Sequence, residues 1–171
     1  MSIKTLSFGC RLNALESEKI QNMLKNVIDT AIVVNTCAVT GEAERQSGQA
    51  VRRIARENPN VGIFVTGFAA TRNQELFCGI PNVLVIDNFQ KRNIDAYIDA
   101  LAKAPCHIQN PKIEQFKDSD EKLSKKFVQI QNGCNHDCTY CVTRLLRGRA
   151  VSFEYDEILA DVRAAVNAGF G

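Results

Sequence analysis

The amino-acid sequence predicts an α/β protein that begins with an open parallel sheet flanked by helices. Through the first hundred residues, short apolar runs alternate with helical patterns, which is typical of parallel sheets. This periodicity disappears at residues 103–126 and then returns. We therefore predict a first domain over residues 1–102, a linker over 103–126 and the beginning of a second domain over 127–171.

The first strand, the first helix and the second strand follow in order. Residues 4–8 form an apolar run of strand length, and residues 31–35 form the next one. The segment between them has apolar residues at i, i+3, i+4 and i+7, the pattern of an amphipathic helix. These apolar residues are Ile20, Met23, Leu24 and Val27.

The second helix has well-marked boundaries, and we predict it over residues 41–57. Thr40 can cap its N-terminus, and Glu42 and Glu44 in its first turn suit the positive end of the helix dipole. Pro59 lies just beyond its end, where the chain no longer continues a helix. The remaining elements of this domain are predicted as a strand at 62–66, a short helix at 72–77, a strand at 83–86 and a helix at 90–102.

Residues 103–126 have the composition of a linker, because they contain two prolines and ten charged residues without a strand or helix period. An apolar run at 127–130 then predicts a strand, and a cysteine-rich loop follows it. Residues 154–168 predict a helix whose apolar residues share one face. Those residues are Ile158, Leu159, Val162 and Val166.

The composition indicates a folded protein without a membrane segment. The 171 residues are 45% hydrophobic and 23% charged, and no apolar stretch reaches the roughly 18 to 20 residues needed to cross a bilayer. The N-terminus shows no secretory leader, so we expect a cytoplasmic protein with no membrane partner. A net charge of +2 is too small to indicate nucleic-acid binding by itself. The seven unevenly spaced cysteines favour metal binding or core positions over a disulfide framework, which is rare in the cytoplasm.

Three of the cysteines lie within eight residues, at Cys134, Cys138 and Cys141. Their C-x3-C-x2-C spacing suits an iron-sulfur cubane, because thiolates are the usual protein ligands of these clusters. Three ligands leave the fourth iron open to a small molecule. Two alternatives remain: a zinc site that adds His136 in a cramped tetrahedron, and three core cysteines without metal. The cluster is the favoured interpretation.

This spacing, with the aromatic Tyr140 directly before the last cysteine, resembles the signature of the radical S-adenosylmethionine (SAM) superfamily. The resemblance implies a TIM-like barrel, of which this chain would hold the first β/α unit. It also implies a 4Fe-4S cluster that binds SAM at its open iron, an electron donor protein, and a place near the adenine for Tyr140. Arg144, Arg147 and Arg149 follow the cysteines, and we expect Arg147 to contact the cofactor.

The first domain resembles the N-terminal domain of the methylthiotransferases, a family within that superfamily. Three segments carry this resemblance, at residues 8–13 (FGCRLN), 35–40 (NTCAVT) and 65–67 (VTG). The subfamily that acts on threonylcarbamoyl-adenosine beside the tRNA anticodon fits better than those for isopentenyl-adenosine or ribosomal protein S12, which implies tRNA as a partner. The residues that favour it are Arg11, Gln46, Ser47, Val51, Arg52, Arg53, Ile54, Asn58 and Pro59.

In this family, three cysteines at the carboxyl ends of successive strands hold a second 4Fe-4S cluster that delivers sulfur. This is also the edge at which open parallel sheets bind ligands. Cys10 and Cys37 match the first two cysteines, whereas Phe68 occupies the third position and cannot ligate iron. The second cluster is therefore one ligand short. Cys78 is either a substitute ligand or a core residue, and Cys106 is expected to be an ordinary thiol.

Basic residues recur on one face of the helix at 41–57, opposite its apolar face. They are Arg45, Arg52 and Arg56, accompanied by Gln49. A solvated helix face is the usual explanation of such a stripe. The alternative is that these guanidinium groups bind tRNA phosphates, since arginines aligned along a helix can follow a nucleic-acid backbone.

The second domain falls short of a barrel, since residues 127–171 hold one strand, one loop and one helix, whereas a complete barrel takes about 250 residues. We therefore expect a truncated chain. As its function we predict a tRNA methylthiotransferase that uses radical SAM chemistry and is inactive as this isolated chain. Two alternatives stay open: a non-catalytic cluster- or RNA-binding relic, and a small zinc-bound RNA-binding protein.

Overall fold

A computed structural model describes residues 2–104, 108 and 125–170 of the chain. The chain divides into two compact units, Met1–Ser119 and Asp120–Gly171, and each has its own secondary structure. Most of the predicted linker, including Cys106, lies outside the described residues. Among the helices that are described, none combines the length and the apolar character that a bilayer crossing requires.

The first unit consists of alternating strands and helices. Its strands are β1 (Ser2–Ser7), β2 (Thr30–Thr36), β3 (Ile63–Gly67) and β4 (Val83–Val85). Its helices are α1 (Arg11–Leu24), α2 (Gly41–Glu57), α3 (Phe68–Arg72) and α4 (Ile94–Ala102), with a 3₁₀ turn at Gln74–Leu76. The strands form one parallel sheet in the order β1, β2, β3, β4. The predicted α/β fold with an open parallel sheet is therefore confirmed.

Both faces of the sheet are apolar, because successive side chains along a strand point to opposite sides. On one side, α1 and α4 bury their apolar residues against alternate strand positions, and the rings of Phe64 and Tyr97 meet edge to face with centroids 5.0 Å apart. The central members of this cluster are Ile3, Ile20, Leu24, Ile28, Val33, Phe64, Ile86 and Tyr97. The intervening positions Ile32, Val34, Ile63 and Val65 are also fully buried, and α2 contributes Val51 and Ile54 to the core.

The two ends of α2 are satisfied by side chains from outside the helix. The Oγ1 atom of Thr40 accepts a hydrogen bond from the N–H of Ala43 (3.2 Å), which confirms the predicted cap. At the other end, Nδ2 of Asn82 lies 3.4 Å from the carbonyl oxygen of Ala55 in the last turn and 2.8 Å from that of Asn58 just beyond it. The predicted bounds of α2 are correct, because Thr40 and Pro59 are local signals at its two ends.

Two helices depart from their predicted bounds. The short helix expected at 72–77 is split into α3 and the 3₁₀ turn, which Asn73 separates. The helix expected from residue 90 begins at Ile94. Its start is displaced because the side chain of Asn93 caps it, and Asn93 itself has an extended backbone (φ −96°, ψ 115°). Asparagine favours such caps over helix interiors, since its side chain competes for backbone hydrogen bonds.

The second unit contains β5 (Gln131–Asn132), α5 (Thr143–Arg147), β6 (Val151–Ser152) and α6 (Tyr155–Asn167). β5 and β6 pair antiparallel. The strand expected at 127–130 is wrong: these residues are irregular, and pairing begins at Gln131. An apolar run becomes a strand only where a partner offers hydrogen bonds, and the two-residue β6 offers few. The predicted helix at 154–168 is confirmed as α6, although Val166 on its apolar face remains 62% exposed.

Candidate metal-binding cysteines

Three strands of the first unit end at neighbouring points of one edge of the sheet. Beyond β1 the chain reaches Cys10, which precedes α1 and is exposed. Cys37 directly follows β2, and Phe68 directly follows β3; both are 3% exposed. The register pairs Thr36 with Gly67, so Cys37 and Phe68 are the next residues on adjacent strands. This edge is where parallel sheets bind ligands.

Two buried asparagines join the strand ends at this edge. Asn13, in the first turn of α1, donates from Nδ2 to the carbonyl oxygens of Phe8 (2.9 Å) and Thr36 (3.2 Å). Asn35 at the end of β2 donates from its own Nδ2 to the carbonyl oxygen of Asn13 (3.0 Å). The start of α1 is thereby connected to the residues that immediately precede Cys37.

Two glycines allow the strand ends to approach this closely. Gly9 has φ +93°, and a Cβ atom there would lie 2.5 Å from Sγ of Cys37. Gly67 has φ +92°, and a Cβ atom there would collide with the carbonyl oxygen of Thr36. Only glycine combines this backbone conformation with the absence of a side chain. The sulfur of Cys37 therefore packs against the residue next to Cys10.

The residues at this edge do not fit a cluster that needs three thiolates. Two positions carry thiols, and the third carries the buried ring of Phe68, which has no donor atom. Cys78 follows the 3₁₀ turn and is exposed, so the prediction of a core cysteine there is wrong. Within the described parts of the chain, no group of three or more cysteine, histidine, aspartate or glutamate side chains is placed to hold a metal.

The cysteine-rich loop of the second unit is closed by backbone contacts between its ends. The N–H of Cys134 donates to the carbonyl oxygen of Gly148 (3.1 Å), which joins the two ends. Within the loop, the N–H of Cys141 donates to the carbonyl oxygen of Cys138 (3.0 Å). Gly133 has φ +76°, and a Cβ atom there would collide with the carbonyl oxygen of Arg149. The residues just before the three cysteines therefore contact the residues that follow α5.

Two of the three thiols in this loop accept hydrogen bonds. The backbone N–H of His136 points to Sγ of Cys134 (3.5 Å). The side chain of Thr143 hydrogen-bonds Cys141 and lowers the pKa of that thiol, with further contributions from the backbone N–H groups of Thr143 and Arg144. The lowered pKa of Cys141 favours its thiolate, the form that binds iron. The donor set therefore fits an iron-sulfur cluster, although the described geometry does not already gather the three sulfurs around one point.

The other residues predicted in this region have different surroundings. Tyr140 is 89% exposed. Arg147 is 8% exposed, and its Nη1 donates to Oδ1 of Asn132 (2.9 Å), which fastens α5 to β5. Arg144 forms an ion pair with Asp137 inside the cysteine loop. Sequence reasoning did not foresee that two of the three arginines hold the loop together.

The basic stripe on α2 is exposed along its length. Arg45 binds Glu42 through two contacts, Nε to Oε2 (2.9 Å) and Nη2 to Oε1 (2.6 Å). These bonds, with one from Gln46, lower the pKa of the Glu42 carboxyl group to about 2. Arg52 and Arg56 line a concavity of about 1110 Å³ along the helix.

A buried ion pair in the first unit was not predicted. Nζ of Lys91 lies 2.7 Å from Oε2 of Glu16, and both side chains are 3% exposed. Oδ1 of Asn88 accepts a second hydrogen bond from the same ammonium group (2.7 Å). A signal was present, because Glu16 is four residues before Ile20 and so lies on the apolar stripe of α1, where a charge needs a partner.

Comparison with known proteins agrees with this geometry. A family model described as "Uncharacterized protein family UPF0004" matches residues 2–86, which contain β1 to β4. The threonylcarbamoyladenosine tRNA methylthiotransferase MtaB of Rickettsia prowazekii is 35% identical over 96% of this chain and 40% of its own length. The protein of the same name from Chlamydia pneumoniae is 32% identical over 99% of this chain and 41% of its own length.

A third relative has a different assigned substrate. The ribosomal protein uS12 methylthiotransferase RimO of Vibrio cholerae is 30% identical over 96% of this chain and 37% of its own length. The chain thus spans about 40% of the length of the curated relatives that it matches. The chain has the parallel sheet and two strand-end cysteines described above, and relatives named methylthiotransferases match nearly its whole length. The chain therefore belongs to the methylthiotransferase family.

Proposed function

We propose that this chain is part of a tRNA methylthiotransferase that uses radical SAM chemistry on threonylcarbamoyl-adenosine beside the anticodon. The observation that carries the proposal is the loop with Cys134, Cys138 and Cys141, two of whose thiols already accept hydrogen bonds. Two relatives that cover nearly all of this chain are named for threonylcarbamoyladenosine in tRNA. The proposal takes the substrate from those names and the chemistry from the loop.

In this proposal the three thiols hold a 4Fe-4S cluster, which when bound would supply the electron for reductive cleavage of SAM. The residues of the chain have supporting tasks. The N–H of His136 hydrogen-bonds the sulfur of Cys134, and the groups at the start of α5 stabilise the charged form of the Cys141 thiol. Arg147 holds α5 against β5, so that the two ends of the cysteine loop stay together. Tyr140, at the surface beside Cys141, is available to contact the adenine.

Iron binding tests the proposal directly. We expect anaerobic reconstitution of the full chain to give about four irons per chain, since only this loop has three closely spaced thiols. Cys138→Ser should abolish most of the bound iron. Cys78→Ser is the matched control, because it removes an exposed thiol outside the loop. Iron that remains in Cys138→Ser, or zinc bound in its place, would contradict the assignment.

The second cluster requires a change of sequence. Phe68→Cys supplies a thiol at the residue after Gly67, beside Cys37 in the register. If this is the missing ligand position, the variant should bind more iron than the wild-type chain under the same reconstitution. Phe68→Ser is the control, because it removes the same buried ring without adding a thiol. Equal iron in the two variants would show that the edge does not form the second cluster.

Binding of tRNA by the stripe on α2 is a separate part of the proposal. Arg52→Glu with Arg56→Glu should weaken tRNA binding and flatten its salt dependence, each lost phosphate contact removing a little less than about one unit of slope. Lys25→Glu provides a control of the same sign on the same unit, at the exposed end of α1. Arg45 is expected to matter less because Glu42 already engages it. An unchanged slope would leave the stripe as a solvated face.

A second candidate is a non-catalytic module that retains a cluster loop or RNA affinity. Phe68 favours it, because that residue removes one ligand from the position where the family delivers sulfur. Incubation of the reconstituted chain with SAM, a strong reductant and tRNA separates the two functions. Release of 5'-deoxyadenosine without methylthiolated tRNA supports a radical SAM enzyme of which this chain is only a part. Iron and tRNA binding without release of 5'-deoxyadenosine supports the module, and repeated formation of methylthiolated tRNA would overturn the expectation that the isolated chain is inactive.

A further inference from the structure

Among the described residues of the first unit, Cys10 and Cys37 lie at the carboxyl edge of the sheet and Phe68 takes the third strand end there. The register pairs Ser7 of β1 with Asn35 of β2, so the segments that follow these strands leave the sheet side by side. On the far side of Cys37, the buried ring of Phe68 fills the next strand end. Cys37 therefore lies between the backbone next to Cys10 and the apolar side chain of Phe68.

The contact between these segments is close. A Cβ atom at Gly9 would lie 2.5 Å from Sγ of Cys37, so the sulfur rests almost directly on the backbone of Gly9. Consecutive Cα atoms are about 3.8 Å apart, which places Cys10 one residue from that contact. The hydrogen bonds of Asn13 hold the same two segments together. A disulfide needs two backbone segments that approach each other closely. The segments that follow β1 and β2 approach in this way at Gly9 and Cys37.

The two thiols differ in access. Cys10 is exposed and can meet a small molecule from solvent, whereas Cys37 is 3% exposed and can react only with a neighbour. Thiol–disulfide exchange depends on which sulfur can be reached. An exposed thiol beside a buried one is the arrangement in which the first reacts with an external disulfide and the second resolves the product.

We propose that Cys10 and Cys37 form a reversible disulfide, a redox-sensitive site whose oxidant is a small disulfide of the glutathione class. The Cys10 thiolate attacks one sulfur of oxidised glutathione, the S–S bond breaks, and one glutathione thiolate leaves. The Cys37 thiolate then attacks the Cys10 sulfur and displaces the second glutathione. Two protein thiols are oxidised, one disulfide is reduced to two thiols, and the two protons pass to the departing glutathione molecules.

The disulfide would withdraw both thiols from any metal and fasten the turn before α1 to the end of β2. The inference does not depend on radical chemistry, on tRNA or on the cysteines of the second unit, so it can fail or succeed separately from the proposed function.

The experiment uses the full chain without metal, equilibrated with mixtures of reduced and oxidised glutathione, quenched in acid, alkylated and digested with trypsin. The linked pair joins the tryptic peptides 5–11 and 26–45 and disappears on reduction. We expect this to be the dominant internal disulfide of the first unit. Cys78→Ser should leave it unchanged, because Cys78 is exposed and lies on a different segment.

Single variants test the order of the two steps. Cys37→Ser should accumulate the mixed disulfide between Cys10 and glutathione, and Cys10→Ser should leave Cys37 reduced. Circular dichroism confirms that each variant is folded. The proposal is overturned if the wild-type chain stops at a stable mixed disulfide on Cys10, if Cys10 links to Cys78 as readily as to Cys37, or if neither thiol reacts.

Discussion

Asn13 and Asn35 form hydrogen bonds in both directions between α1 and β2: the side chain of Asn35 donates to the main-chain oxygen of Asn13, and the side chain of Asn13 donates to the main-chain oxygen of Thr36. The pair is buried between α1 and β2. Its effect is to hold the residue before Cys37 at a constant distance from the turn that contains Cys10. The polar side chains that frame the candidate site are thus part of its support.

Removing one side of this pair should be costly. Asn13→Ala leaves the carbonyl oxygens of Phe8 and Thr36 without this donor, and we expect a loss of about 2 to 4 kcal/mol in the free energy of unfolding. Chemical denaturation of the purified chain measures it. Asn22→Ala on the exposed side of the same helix is the control and should cost less than about 1 kcal/mol. Equal losses in the two variants would remove the special role of Asn13.

The close contact at Gly9 predicts that an alanine there destabilises the fold more than an alanine at Gly79. Gly9 and Gly79 both have positive φ, but a Cβ atom meets Cys37 at the first position and nothing within 4 Å at the second. Gly79→Ala should therefore cost only the backbone strain of about 1 to 2 kcal/mol. Gly9→Ala should cost about 1 to 3 kcal/mol more, since the chain must also move away from Cys37. Thermal unfolding of the two variants side by side distinguishes strain from collision.

The ion pair between Glu16 and Lys91 predicts a loss that a second change restores. Glu16→Gln should destabilise the first unit by about 3 to 5 kcal/mol, because it leaves a buried ammonium group without its countercharge. Replacing both partners, with Glu16→Leu and Lys91→Met, should recover most of that loss. Glu18→Gln, at an exposed position of α1, is the control. A double variant that is less stable than Glu16→Gln would contradict this account.

Tyr97 predicts a change at alkaline pH. Burial raises the pKa of its phenol above the ordinary value, and the hydroxyl donates to the carbonyl oxygen of Lys91 (2.8 Å). The neutral form is the one that the fold accepts, so its stabilisation is complete below about pH 10 and is lost as the pH rises further.

Absorbance can follow this residue alone in a variant with Tyr140→Phe and Tyr155→Phe, since the chain has three tyrosines. Phenolate absorbance should appear together with the loss of circular dichroism. Ionisation of Tyr97 in a chain that remains folded would show that the hydroxyl is more accessible than the structure indicates.

Periodicity and local signals were sufficient for the sheet and for most helices. The alternation of apolar runs predicted four strands, and the Thr40 cap predicted the start of α2, because these signals act within a few residues. The strand expected at 127–130 failed for the opposite reason, since pairing depends on a partner elsewhere in the chain. The start of α4 was misplaced because Asn93 was not recognised as a cap.

The fold class, the family and the kinds of residue at each strand end, including Phe68, could be predicted from the amino-acid sequence alone. Which of those residues touch depends on the three-dimensional fold. The contact of Cys37 with Gly9, the Asn13 hydrogen bonds and the pairing of Glu16 with Lys91 join residues far apart in sequence. Their distances depend on how the sheet brings the strands together, and no local pattern carries that information.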